Sequence, residues 1–293
     1  MGWRPMLYLL ALAGCFAAPP RPGGPGESCG DSVIDKAETC DDGNTTAADG
    51  CSAECTIEPW FECARPGQLC HPILALQWTG NGSTLPALGN GGGVDFNEEC
   101  GTLAGITGPN TVLVGLQGEI EASSETSLFA LQGQCADIEL LPDGSIRWEL
   151  PQLTAPLGGS GAGGTGLQIR TCDPDEVVVG FAGNANDVEA SSIELFCQAI
   201  THDNGKLRFG SPRKLEKLGA GVHNEQPEAR CTDGHVARAV VGRSGAIIDS
   251  FTLRCVPTER VECGDSVPTS PFETCDDGNA TPGDGCNATC SGD

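Results

Sequence analysis

The chain has 293 residues, with 40 acidic against 16 basic side chains and a net charge of −24. A surface that binds nucleic acid needs clustered Lys and Arg to meet the phosphates, and no such cluster occurs here, so nucleic acid is excluded as a partner. Hydrophobic residues at 39% allow a packed core, while 42 Gly and 20 Pro favour short strands joined by many turns.

Residues 1–14 are predicted to be an export signal. One Arg precedes the apolar run MLYLLALAG, which is too short to span a bilayer as a helix. The run leads into LAGC, ending at Cys15, which resembles the bacterial lipobox. This resemblance implies cleavage before Cys15 and attachment of a diacylglycerol to its thiol. Ordinary secretion, with cleavage near residues 17–18, is the alternative.

The cysteine content indicates an oxidising compartment. Seventeen Cys stand beside only 4 His, and the C-x₂-C pairs of zinc ribbons are missing. Setting Cys15 aside leaves an even number of cysteines that can pair fully. Residues 15–28 are rich in Pro and Gly and are predicted to be a tether. We therefore expect an outer-membrane or cell-surface lipoprotein, attached to the membrane through a lipid anchor only, or alternatively a secreted protein.

The two ends of the chain carry the same small repeat. Modules at 29–71 and 258–293 share CGDS, ETCDDGN and DGC, with cysteine spacings C-x₁₀-C-x₁₀-C-x₃-C and C-x₁₁-C-x₁₀-C-x₃-C. Such small modules need disulfides for stability. The pattern resembles the myxobacterial-type cysteine-rich repeat, which implies surface display. The predicted disulfide cysteines of the modules are Cys29, Cys40, Cys51, Cys55, Cys63, Cys70, Cys263, Cys275, Cys286 and Cys290.

Asp and Asn recur at fixed offsets in both modules, as Asp31, Asp41, Asp42, Asn44 and Asp49 in the first. A cluster of carboxylate and carbonyl oxygens could bind Ca²⁺, which is a hard cation. The same residue types form turns and cap backbone N–H groups. Because the EF-hand spacing and its terminal Glu are absent, the turn-forming role is favoured and no cofactor is predicted.

Residues 72–257 contain three copies of a longer repeat of roughly 60 to 70 residues. Each copy has a strand ending in an aromatic residue, a Leu-Gly turn, a cysteine, a β-branched strand and a closing strand with a second cysteine. The closing strands SIELFC and DSFTLRC alternate with period two, as half-buried strands do. The three matched pairs suggest one bridge per repeat, with connectivity left open. They are Cys100 and Cys135, Cys172 and Cys197, and Cys231 and Cys255.

Three β-rich repeats in one domain are compatible with a β-prism or a β-trefoil. The segment VVGRSGAIIDSFTL favours the prism, because it resembles the signature of the last repeat of jacalin-type lectins. Its matching residues are Gly242, Arg243, Gly245, Asp249 and Phe251. The paired cysteines also resemble those of vitelline-membrane outer-layer proteins, which have a similar three-sheet fold. The predicted fold is therefore all-β: a pseudo-threefold β-prism with small disulfide-rich modules at both termini.

The jacalin resemblance implies a sugar site between two loops. By position, the loop of the last repeat corresponds to Gly245, Ala246, Ile247 and Asp249. The loop of the first repeat corresponds to Gly91, Gly92 and Gly93. A carboxylate can accept hydrogen bonds from two sugar hydroxyls, and glycine allows backbone N–H groups to approach a ligand closely. A turn or cap role for Asp249 is the alternative.

No catalytic motif is complete in the sequence, so it supports no enzyme activity, although it does not exclude one. The favoured function is a surface-displayed, lectin-like protein whose partner is a glycan or cell-surface polysaccharide. The alternative is a structural or adhesive surface protein whose prism binds no sugar. An open pocket between Asp249 and the Gly91–Gly93 loop (the glycine loop) would favour the lectin-like function.

Overall fold

The computed structural model describes residues 28–63, 66–101, 108–121, 127–159 and 164–292. These ranges contain nineteen strands and no helix, and hence no helix long and apolar enough to cross a membrane. Cys15 and most of the predicted tether lie outside the described residues. In chain order the strands are β1 (Phe61–Glu62), β2 (His71–Gln77), β3 (Ser83–Thr84), β4 (Val94–Glu99), β5 (Thr111–Glu121), β6 (Leu128–Leu140), β7 (Ile146–Trp148), β8 (Gln152–Leu153), β9 (Leu157–Gly158), β10 (Gly164–Thr171), β11 (Glu176–Ala185), β12 (Ala190–Asp203), β13 (Lys206–Phe209), β14 (Arg213–Lys214), β15 (Leu218–Gly219), β16 (Asn224–Arg230), β17 (His235–Ser244), β18 (Ile248–Pro257) and β19 (Glu259–Glu262).

Three antiparallel sheets are each built around one long hairpin: β5–β6, β11–β12 and β17–β18. Short strands pair with the second strand of the hairpin, and a longer strand then crosses to pair with the first. The sheet orders are β10-β5-β6-β7, β13-β12-β11-β16 and β3-β18-β17-β4. The first two have Greek-key connectivity, in which the fourth strand returns beside the first. The three-repeat interpretation of the sequence, and the all-β prism that it predicts, are confirmed.

The sheet that contains β17 and β18 is assembled from both ends of the domain. Its hairpin belongs to the last repeat, whereas β3 and β4 belong to the first. The prism therefore closes only when segments about 140 to 170 residues apart in the chain pair with each other.

Each long hairpin has a β-bulge at the equivalent position, where one extra residue interrupts the register. The bulged residues are Val114, Val179 and Arg238. In each case the carbonyl of this residue accepts a hydrogen bond from the backbone N–H of a cysteine that follows an outer strand, at 2.8 to 2.9 Å. The bulge thus positions a cysteine against the neighbouring sheet, as bulges commonly redirect a strand.

One disulfide joins each pair of adjacent sheets. Cys100 follows β4 and bonds Cys135 on β6, so it links two sheets. Cys172–Cys197 links the sheet of β5–β6 to the sheet of β11–β12, and Cys231–Cys255 links the sheet of β11–β12 to that of β17–β18. The three bridges therefore form a covalent ring around the prism.

Apolar side chains from all three sheets fill the interior. Leu131, Ile193 and Phe251 occupy equivalent positions, and each pairs with a leucine of a Leu-Gly turn. All three are at most 1% exposed. Phe181 packs edge-on against Phe251, with ring centroids 5.0 Å apart. A second buried cluster, which also draws residues from all three sheets, includes Trp78.

The end modules are held by their own disulfides and by a separate three-stranded sheet. Strand β2 pairs with β1 of the first module on one side and with β19 on the other. Trp60 stacks on His202 of the prism at 5.1 Å, and its backbone N–H donates to His202 Nδ1 at 2.9 Å. The module bridges are Cys29–Cys55, Cys40–Cys51, Cys63–Cys70, Cys263–Cys290 and Cys275–Cys286.

Candidate functional site

The candidate site lies where the β17–β18 turn meets the loop that crosses over it. Residues 245–247 connect the two strands of this hairpin, and residues 89–93 run from its second strand to β4 beside its first. The two segments are in contact: a Cβ built on Gly245 would lie 3.9 Å from the Cα of Gly93 and 3.6 Å from Asp249 Oδ2. The fold thus brings together the two loops that sequence reasoning selected.

Glycine is required at two of the predicted positions. Gly93 has φ +76°, and a Cβ there would collide with Asp249 Oδ2 and the Ser244 backbone. A Cβ on Gly91 would collide with the carbonyl oxygen of Val188 and lie 3.1 Å from the Cβ of Asp249. These glycines therefore allow the loop to approach the carboxylate closely.

The remaining predicted positions surround the site more loosely. Gly92 is exposed and has open space where a Cβ would stand. Ala246 is exposed, and Ile247 is half-buried, with its carbonyl accepting the Gly245 N–H at 3.0 Å. Gly92 therefore lies on the outer edge of the crossing loop, and Ala246 and Ile247 lie in the β17–β18 turn.

Asp249 is held in a partly desolvated position. Its Oδ2 is buried and has no hydrogen-bond partner among the described residues. Burial raises the pKa of this carboxyl above its ordinary value, and Glu189 raises it further, while Arg243 and the Gly245 N–H act in the opposite direction. A buried acceptor without a donor is costly, and a ligand hydroxyl could satisfy it once a small shift of the neighbouring loop exposes this oxygen.

Arg243 holds the glycine loop in place, a role that sequence reasoning missed. Its guanidinium donates to the carbonyl oxygens of Gly91 at 3.5 Å and Gly93 at 3.3 Å. It also pairs with Asp95 at 3.1 Å, directly across the β17–β4 ladder. Arg243 is part of the sequence signature, but its partners can be identified only when β4 and β17 are known to be neighbours.

The turn between β11 and β12 forms the wall on the other side of the glycine loop. Glu189 accepts from Ser127 at 2.6 Å and lies 2.7 Å from His223 Nε2. Beside this turn lies a cavity of about 310 Å³. It does not include Asp249; its lining is mostly amide side chains and small residues: Ala87, Gly89, Asn90, Ala185, Asn186, Asp187, Asn224 and Gln226.

Cysteine cannot supply metal ligands in the described part of the chain. The three clusters with ligand-like spacing are Cys172, Glu176 and Cys197; Cys263, Glu273 and Cys290; and Glu38, Asp41 and Cys55. Every cysteine among them is oxidised in a disulfide. Since metals bind the free thiolate, none of these clusters is a metal site as it stands.

Comparison with known families recognises the end modules. The model of DUF4215, a domain of unknown function, matches residues 26–56 and 243–291, which together make up less than a third of the chain. The second match begins inside β17 and therefore covers the β17–β18 turn as well as the second module. No curated protein matches this chain.

The solved structures that resemble this chain include jacalin-related lectins. Calystegia sepium agglutinin aligns at 19% identity and a TM-score of 0.38, covering 60% of this chain and 97% of that one. Calsepa lectin in complex with a biantennary N-glycan aligns at 17% and 0.37, covering 62% and 99%. Frutapin from Artocarpus incisa aligns at 11% and 0.38, covering 61% and 99%. Values this low carry no information on what this chain binds.

Proposed function

We propose that this protein is a surface-displayed binding protein whose β-prism binds carbohydrate at Asp249. The observation that carries the proposal is the unpartnered Asp249 Oδ2, set between two loops that only glycine allows to come so close. A hexose offers neighbouring hydroxyl groups that can donate to one carboxylate, while backbone N–H groups of the Gly91–Gly93 and Ala246–Ile247 segments donate to its oxygens.

The display of this site is part of the same proposal. The end modules are of the myxobacterial-type cysteine-rich kind, and Cys15 carries a diacylglycerol that anchors the mature chain to a membrane. Residues 15–28 then hold the folded part away from the lipid surface. Eight disulfides among the described residues suit an exposed, oxidising location.

The test compares Asp249→Asn with a matched control. Asp203→Asn removes a carboxylate that is 73% exposed at the end of β12. A sugar held only between these two loops is expected to bind weakly, with Kd near 1 mM, which is a binding free energy of about 4 kcal/mol. A charged hydrogen bond contributes about 1.5–3 kcal/mol, so Asp249→Asn should remove measurable binding on a glycan array or by calorimetry, and the control should bind as wild type.

Thermal unfolding of the same variants separates binding from structure. Because burial raises the pKa of Asp249, replacing its carboxylate with an amide should leave the melting temperature unchanged or slightly raised. If the folded wild type binds no glycan, or if Asp249→Asn lowers the melting temperature markedly, the loop serves the fold. The protein would then be a structural or adhesive surface protein.

A further inference from the structure

The acidic residues of the first module divide into two groups with different surroundings. Asp41 accepts four backbone N–H groups, from Gly30, Asp31, Ser32 and Gly43, at 2.9 to 3.1 Å. Burial alone would raise its pKa, but these four donors lower it overall. Asp41 is thus a turn-forming residue whose hydrogen bonds are satisfied within the module.

Asp42 and Asp49 are not satisfied in this way. The amide of Asn44 donates to Asp42 Oδ1 at 3.2 Å and to Asp49 Oδ2 at 3.1 Å, which brings the two carboxylates to one point. Asp42 is only 7% exposed, yet its Oδ2 has no hydrogen-bond partner, and neither does the buried Oδ1 of Asp49. Neither residue belongs to an ion pair within the described ranges.

This arrangement leaves negative charge without compensation. Burial raises the pKa of Asp42, and the neighbouring Asp49 raises it further, against the opposing N–H of Asn44. Residues 28–70 contain nine carboxylates and only two basic side chains, so the module has few positive charges that could neutralise these carboxylates. A buried carboxylate that faces a half-buried one is stabilised either by sharing a proton with it or by binding a cation.

We propose that Asp42 and Asp49 bind Ca²⁺ in the first module. Ca²⁺ takes six to eight oxygen ligands in flexible geometry, and two carboxylates supply two to four of them, with backbone carbonyls and water completing the shell. With so few charged ligands the site belongs to the weak class found in extracellular modules, with Kd of about 10⁻⁴–10⁻³ M.

The second module provides an internal comparison. Asn279 donates to Asp277 and Asp284 at 3.2 Å each, so the same triad is present. There, however, Asp277 Oδ2 accepts the Cys286 N–H at 3.0 Å. The oxygen that is unpartnered in the first module is satisfied by backbone in the second, and the proposal therefore concerns the first module alone.

Calorimetric titration of the disulfide-bonded protein with CaCl₂ tests the proposal. Wild type should bind one Ca²⁺ with half-saturation at about 0.1–1 mM, and Asp42→Asn and Asp49→Asn should each weaken it at least tenfold. Asp277→Asn should leave the titration unchanged. In EGTA, Asp42→Asn should melt at or above the wild-type temperature, because it removes one of two facing charges, and this distinguishes loss of a ligand from loss of the fold.

Three results would overturn the proposal. They are the absence of any Ca²⁺ heat in wild type up to 10 mM, a wild-type isotherm in Asp42→Asn, or equal losses in Asp42→Asn and Asp277→Asn. Sugar binding at Asp249 plays no part in these measurements, so the two proposals succeed or fail separately.

Discussion

Glu262 links the stability of the protein to pH at the junction between the modules and the prism. It lies on β19, with its carboxylate 2.8 Å from Arg260 Nε, and Arg260 also contacts Glu62 on β1 at 2.7 Å. Burial raises the pKa of Glu262 from 4.5 to about 7, with Arg260 opposing the shift and Glu62 adding to it. Two carboxylates thus share one guanidinium in a poorly hydrated place.

The sign of the effect follows from the raised pKa. Between pH 4.5 and about 7 the folded protein holds a proton on Glu262 that the unfolded chain has released. Stability from this group is therefore complete below pH 4.5 and is lost as the pH rises towards 7. At about 1.4 kcal/mol for each pH unit the upper limit is about 3 kcal/mol. The Glu62 side chain is 37% exposed, so solvent screening reduces the expected loss to about 1–2 kcal/mol.

Glu262→Gln isolates this contribution, because an amide cannot ionise and still fits beside Arg260. Denaturant unfolding with intact disulfides, followed by tryptophan fluorescence from pH 4.5 to 8, gives the free energy of unfolding for both proteins. The variant should equal wild type near pH 4.5 and exceed it by about 1–2 kcal/mol at pH 8. Parallel pH curves for the two proteins, or a less stable variant at pH 8, would refute the reasoning.

Two further perturbations test the covalent framework and the anchor. Replacing Cys100 and Cys135 together by Ser opens a loop of 35 residues and should lower the free energy of unfolding by about 3–4 kcal/mol. The same change at Cys63 and Cys70 opens a loop of 7 residues and should cost only about 2 kcal/mol. An equal loss at both bridges in thermal unfolding would contradict the loop-length explanation. Cys15→Ala should release the protein from the membrane fraction or leave its signal uncleaved, and unchanged partitioning into detergent would disprove lipidation.

The sequence was sufficient to predict the repeats but not how they meet. Periodic alternation and the Leu-Gly turns predict the strands because they depend on neighbours along the chain. Which sheets a disulfide joins could not be predicted, because Cys100 follows a strand that pairs with β17, about 140 residues later. The Arg243 contacts and the Trp60–His202 stack depend on long-range pairing in the same way.

The carboxylate of the candidate site could be selected from sequence, whereas its surroundings could not. Asp249 stands six residues before the cysteine of its closing strand, and the equivalent positions in the other repeats hold Phe129 and Ser191. The amino-acid sequence alone shows this difference. The contact of Val188 with the Gly91–Gly93 loop cannot be predicted from the sequence, because Val188 lies in the hairpin turn of a different sheet.

The two halves of the candidate site come from opposite ends of the prism in the sequence, Asp249 from the last repeat and Gly93 from the first. In the sheets of β5–β6 and β11–β12, the hairpin and the loop crossing its end follow each other in the chain. In the sheet of β17–β18, the crossing loop comes from the first repeat and the turn from the last, so Asp249 meets Gly93 only after the prism has closed. The β2–β19 ladder is a second junction between the start and the end of the prism, because it pairs the segment before β3 with the segment after β18. Stabilising that junction therefore also holds the two halves of the candidate site together.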